Sequence, residues 1–234
     1  KYMTKIFAMI PVRMGSQRLK KKNFALLNKR PLLEYAIIAA KKSKIFDKIY
    51  LNSESVDVEK FAKKFNIEFY KRDPKFASSD TTSDEVVRDF FKTFNDVDLL
   101  VWVNTTTPFQ TAKEIRTIVK YFIKKKADTL ITVENKYAHS NYNNKPLNYL
   151  TTSKFARTQD LKPIQTFIYS LMMWKRKSFL KQYKKYRSGI FSGKVILYPI
   201  KGLSTVMIKT IDNFKLANFI MKQNKSFKLE YFKN

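Results

Sequence analysis

The chain has 234 residues, 44% hydrophobic and 15% aromatic, enough to bury a full core and too apolar for a disordered segment. It has no cysteine and a single histidine, His139, in a polar stretch that reads as a loop; this excludes disulfides, thiolate nucleophiles and His- or Cys-built metal sites. Chemistry must therefore run on carboxylates, Lys, Arg, hydroxyls, amides or an added metal ion.

Forty-seven Lys and Arg against 19 Asp and Glu give a formal charge of +28. Clusters such as Lys41-Lys42, Lys63-Lys64, Lys124-Lys125-Lys126 and Lys184-Lys185 are spread along the chain. The charge reads as solvated helix faces rather than as a polynucleotide surface, and its field steers small anions inward. Apolar runs are strand-sized and no basic segment followed by an apolar one opens the chain. No membrane span or signal peptide is expected, and a cytoplasmic location is.

Lys5 to Pro11 reads as a buried strand. Leu32 to Lys42 reads as a helix, with Leu33, Ile37 and Ala40 on one face. Strands are predicted over Lys48 to Asn52, Glu68 to Tyr70, Leu99 to Val103 and Thr129 to Val133, alternating with helices over Val56 to Phe65, Ser83 to Phe94 and Ala112 to Lys125. The run Ser79-Asp80-Thr81-Thr82 supplies N-cap residues for the Ser83 helix. This alternation predicts an α/β fold with a mostly parallel Rossmann-like sheet and helices on both faces. The rhythm stops at about 134–165, an inserted arm rich in Asn, Tyr, Lys and Thr, within a single domain spanning 1–234. Strands return over Thr166 to Trp174 and within Phe191 to Pro199, and Asp212 to Lys222 closes as a helix.

The four glycines, Gly15, Gly189, Gly193 and Gly202, exclude both G-x-G-x-x-G and G-x-x-x-x-G-K-[ST] phosphate loops. What remains is Gly15-Ser16 at the carboxyl end of the first strand, among Arg13, Arg18, Lys20, Lys21 and Lys22. Ligands of open α/β sheets sit beyond those strand ends, where backbone N–H groups and cations can meet phosphate. A basic surface loop is the competing reading of the same residues.

The stretch Ile10-Pro11-Val12-Arg13-Met14-Gly15-Ser16-Gln17-Arg18-Leu19, with Lys22-Asn23, resembles the signature I-P-A-R-x-G-S-x-R-x-x-x-K-N of the CMP-sialic acid synthetase family of cytidylyltransferases. Arg30-Pro31-Leu32-Leu33-Glu34-Tyr35, Asn52-Ser53-Glu54, Arg72 with Ala77 to Ser83, Asn104 to Phe109, Arg157 to Leu161 and Ile168-Tyr169 resemble its later motifs in order. The resemblance implies transfer of CMP from CTP to the anomeric hydroxyl of an anionic sugar acid, a nonulosonic (sialic-type) or related one, releasing pyrophosphate. It also implies Mg²⁺ and a homodimer joined by the arm, while neither a membrane nor nucleic acid is an expected partner.

By the same resemblance Arg13, Arg18 and Lys22 hold the triphosphate, and Gly15 and Ser16 supply backbone donors. Asn23, Arg72, Ser83 and Asn104 recognise ribose and cytosine, and Arg157 and Gln159 face the sugar acid. The family's D-I-D metal motif falls on Met207-Ile208-Lys209. Three accounts stay open: Lys209 meets the phosphates as a catalytic cation, Asp212 binds the metal from a shifted position, or the chain is a catalytically silent nucleotide-binding protein. Gln165-Thr166-Phe167 stands where the family has N-G-A, which reshapes the acceptor pocket.

Overall fold

The computed structural model describes residues 4–15 and 19–223. Its elements in chain order are β1 (Ile6–Pro11), β2 (Leu26–Leu27), β3 (Arg30–Pro31), α1 (Leu32–Ser43), β4 (Lys48–Ser53), α2 (Glu59–Phe65) and β5 (Glu68–Lys71). They continue with α3 (Ser83–Thr93), β6 (Leu99–Val103), α4 (Ala112–Lys124), β7 (Thr129–Lys136), β8 (Asn141–Tyr142) and β9 (Lys145–Pro146). The last are β10 (Ile164–Lys175), α5 (Arg176–Tyr186), β11 (Val195–Ile200) and α6 (Ile211–Lys222).

The main sheet runs β11-β7-β10-β6-β1-β4-β5. β1 pairs parallel with β4 and with β6, β4 with β5, and β7 with β11. β10 alone is antiparallel to its neighbours β6 and β7. The expected α/β sheet is therefore present, with one reversed strand that periodicity does not reveal.

Side-chain alternation explains the two layers. Ile6, Ala8 and Ile10 of β1 and Leu99, Val101 and Val103 of β6 pack with Leu33 and Ile37 of α1, Phe61 of α2 and Ile115 and Phe122 of α4. Phe7, Met9 and Leu100 point the other way, onto Val87, Phe90 and Phe91 of α3 and Phe179 and Tyr183 of α5. Thr82 caps α3 with Glu85, and Thr111 caps α4 with Glu114, each as a reciprocal capping box.

Two elements were not anticipated. Helix α5 follows β10 directly, and the short β2–β3 ribbon carries the chain from the basic loop into α1. The excursion after β7 contains the β8–β9 hairpin and occupies 137–163, because β7 extends to Lys136 and β10 begins at Ile164. Asn148 ties it together, its Nδ2 donating to Ala138 O and Lys162 O and its Oδ1 accepting from Ser140 N. Among the described residues no helix is long and apolar enough to cross a membrane.

Candidate active site

The sheet changes winding direction at β1: the chain moves out to β4 and β5 on one side, then returns to β6 on the other. The carboxyl ends of β1, β4, β5 and β6 lie at one edge there, the place where open α/β sheets form a ligand crevice. A cleft of about 330 Å³ occupies it, lined by Arg13, Lys22, Asn23, Arg72, Ser83 and Asn104 together with Ser78, Thr81, Thr82, Trp102, Thr105 and Thr106. Six of the residues singled out in the sequence thus come together, from the three connections that follow β1, β5 and β6.

Each is held by identifiable bonds. Arg13 donates from Nη1 to Ser78 O at 2.9 Å, spanning the cleft from the β1 loop to the loop before α3. Arg72, 3% exposed, donates from Nη2 to Glu54 Oε2 at 2.8 Å, and its Nε is buried with no partner in the protein. Glu54 Oε1 accepts from Met14 N at 2.8 Å. Asn104 Oδ1 accepts from the N–H and the hydroxyl of Thr106, which leaves its amide nitrogen as the group it can offer a ligand.

Asn23 lines the cleft and is itself bonded within the protein. Its Nδ2 donates to Arg13 O and its Oδ1 accepts from Thr105 Oγ1 at 2.7 Å, so the buried amide braces the loop after β1. Lys22 Nζ donates to Ile208 O at 3.4 Å, and Ile208 N donates to Thr106 O at 2.8 Å. The segment before α6 is therefore fixed beside the cleft, and Lys209, exposed, is the next residue along it. Gly15 follows β1, and a Cβ there would meet nothing within 4 Å. Ser16 and Arg18 lie outside the described residues.

The remaining candidates stand apart from the cleft lining. Arg157 and Gln159 lie in the arm, in and beside a 3₁₀ turn at Thr158–Asp160, and Arg157 pairs with Asp160 at 2.8 Å. Asp212 sits in the first turn of α6, its side chain 85% exposed, 3.7 Å from Lys215. That is the position the helix dipole favours for an acid. No group of three His, Cys, Asp or Glu residues that could hold a metal occurs among the described residues, and the cleft lining contains no carboxylate.

Sequence reasoning missed the Glu54–Arg72 pair, the brace from Thr105 and the bulge in β10. Between Phe167 and Met172 the register of β10 against β7 shifts, Tyr169 adopts φ 58, and Ser170 O accepts from Asn104 N. The signal for the bulge was the pair Ile168-Tyr169, which matches a motif but carries no hint of its backbone.

The chain matches the cytidylyltransferase family over residues 7–225. It is 31% identical over 119 residues to an N-acylneuraminate cytidylyltransferase of Escherichia coli, covering 51% of this chain and 28% of that enzyme. It is 25% identical over 240 residues to post-translational flagellin modification protein B of Campylobacter coli, covering 94% and 97%. The chain thus spans about a quarter of the E. coli enzyme and nearly all of the Campylobacter protein. Among solved structures, a CMP:2-keto-3-deoxy-manno-octonic acid synthetase complexed with CTP superposes with a TM-score of 0.67 at 12% identity, covering 95% of this chain and 100% of that one. The 4-diphosphocytidyl-2C-methyl-D-erythritol synthase of Anaerococcus prevotii does so at 0.63 and 16%, covering 94% and 99%. At these identities the structural likeness speaks for the fold; the family match decides membership. The chain belongs to the cytidylyltransferase family, CTP-dependent nucleotidyltransferases, as a divergent member similar to the CMP-sialic acid synthetases.

Proposed function

We propose that the protein transfers CMP from CTP to a hydroxyl of an anionic sugar acid, with release of pyrophosphate. The observation that supports this most is the convergence of Arg13, Lys22 and Arg72 on one cleft at the switch point of the sheet, beside the hydroxyls of Thr81, Thr82 and Ser83. Arg13 and Lys22 suit a triphosphate, and Arg72, the amide of Asn104 and the hydroxyls suit a nucleoside. The names of the relatives, N-acylneuraminate cytidylyltransferase among them, support a nonulosonic acid as the acceptor class.

In the proposed reaction the acceptor oxygen forms a bond to the α-phosphorus, and the bond from that phosphorus to the bridging oxygen of the β-phosphate breaks. Pyrophosphate carries the electron pair away. The lining offers neither carboxylate nor histidine to take the hydroxyl proton, so it passes to water in the open cleft. Arg13, Lys22 and Lys209 act by neutralising charge that moves onto the leaving oxygens, the main lever in phosphoryl transfer. Gly15, Ser16 and Arg18 complete the phosphate loop, and Arg157 and Gln159 receive the acceptor from the arm.

Mg²⁺ is the ion expected with CTP, and Asp212 was its expected ligand. The donors around the cleft do not fit a carboxylate-held ion, and no step is assigned to one. The protein is proposed to act in the cytoplasm as a homodimer. The exposed Tyr137, Tyr142, Leu147, Leu150 and Phe155 of the arm support a second copy covering it.

The test is pyrophosphate release from CTP across a panel of nonulosonic, octulosonic and smaller anionic acceptors. Release that requires both CTP and one acceptor class supports the proposal. CTP binding with no release on any acceptor favours a silent nucleotide-binding protein, the reading to which the missing carboxylates lend weight.

A further inference from the structure

We infer that this chain meets the triphosphate with ammonium groups, Lys22 from the loop after β1 and Lys209 from the segment before α6, and that its described residues give a divalent ion no carboxylate ligand. A divalent ion arriving with the nucleotide would then depend on the nucleotide rather than on side chains of the cleft. The inference rests on the reading of the cleft as a CTP site.

The acids closest in sequence to the lining residues are bonded within the protein or point to solvent. Glu54 has one oxygen on Arg72 and the other on Met14 N, both at 2.8 Å. Asp73 is occupied by Lys75, through its backbone N–H and its ammonium. Glu85 closes the capping box of α3 on Thr82. Asp80 is exposed and accepts from Ser79, and Asp212 is exposed and paired with Lys215. A Mg²⁺ bound at a phosphate is commonly also held by one or two carboxylates. Here an ion shared with the protein would instead stand beside Arg13 and Lys22, with no carboxylate among the described residues of the lining, since Glu54 is taken up by Arg72.

The cations are placed to take over that role. Ile208, fully buried, is pinned from both sides: its N–H donates to Thr106 O, and its carbonyl accepts from Lys22 Nζ. The backbone N–H groups of Lys209 and Thr210 both donate to Asn213 Oδ1 at 3.1 Å, which holds the next residues onto the start of α6. Lys209 is thus anchored by its backbone one residue from the carbonyl that Lys22 touches, with a flexible side chain exposed to solvent. A lysine is a point charge on a four-carbon stem and can follow a phosphate oxygen without demanding a fixed geometry.

Calorimetric titration of the whole protein with CTP, in chelator and in Mg²⁺ at equal ionic strength, tests this. The two dissociation constants are expected to agree within about threefold, and Lys209→Met to weaken binding by about tenfold or more in both conditions, as loss of a charged hydrogen-bond donor does. Lys209→Asp, which returns a carboxylate to the position, is expected to bind CTP only in Mg²⁺. Binding by the native protein that appears only with Mg²⁺, or an unchanged affinity in Lys209→Met, overturns the inference while leaving the CTP reading intact. No CTP binding in either condition overturns both.

Discussion

Glu54 and Arg72 form a buried ion pair, 2.8 Å apart with side chains 14% and 3% exposed, and Arg72 lines the cleft. The same carboxylate holds the N–H of Met14, so one group fixes both the β1 loop and the arginine that follows β5. Removing one member leaves the other charge buried and unpaired. Glu54→Ala is expected to lower stability by about 3–5 kcal/mol. A urea unfolding midpoint unchanged from the native protein would rule this out.

The brace between Asn23 and Thr105 makes a graded prediction. Thr105→Val keeps the shape and removes the 2.7 Å bond, and is expected to cost about 1–2 kcal/mol. Asn23→Ala also releases Arg13 O and is expected to cost more. Chemical denaturation of the two variants side by side checks the order, and equal losses would contradict it.

Gly189 is required by packing. A Cβ built on it would stand 2.7 Å from the ring of Phe179, which is fully buried against Trp174, Phe91 and Tyr183 and has no room to retreat. Gly189→Ala is expected to destabilise by about 1–3 kcal/mol through overpacking. A lowered melting temperature is the expected reading, and a raised one would refute it.

Asp128 predicts part of the acid sensitivity. Burial pushes its carboxyl up, but the N–H of Lys194, the hydroxyl of Ser178 and the ammonium of Lys175 outweigh that and bring it below the usual carboxylate range. A lowered native pKa means that the unfolded chain binds the proton first. The stabilisation is therefore present above the unfolded pKa and is lost as pH falls through the native value. Asp128→Asn should flatten the fall in stability below about pH 4, the unfolded pKa of an aspartate. Parallel pH profiles for the two proteins would show that Asp128 contributes nothing to it.

Much of the architecture was readable because β1 and β6 are apolar runs of strand length, and α3 and α4 open with Thr-x-x-Glu boxes. Helix α5 was not, because Arg-Lys-Ser-Phe-Leu-Lys-Gln-Tyr-Lys-Lys-Tyr buries only Phe179 and Tyr183. Two residues one turn apart suffice for a helix that packs on α3, but they make a faint pattern. The direction of β10 was hidden for a different reason: side-chain alternation is the same whichever way a strand runs. In the cleft, Arg13 and Lys22 were legible as a basic loop after the first strand, and Arg72 and Asn104 only through the resemblance of their motifs. The work of Glu54 and Thr105 was not, since their partners lie 18 and 82 residues away.

The reversal of β10 also determines how the arm is mounted. β7 and β10 are paired neighbours running in opposite directions, in register from Ile164 opposite Lys136 down to Trp174 opposite Thr129, with the bulge between. Residues 137–163 are thus the tip of one long hairpin whose shaft lies in the middle of the core. Such a tip can lengthen, shorten or change its side chains while the shaft, and the crevice beside it, keep their geometry. Changes confined to the arm are thereby kept apart from the residues that line the cleft after β1, β5 and β6.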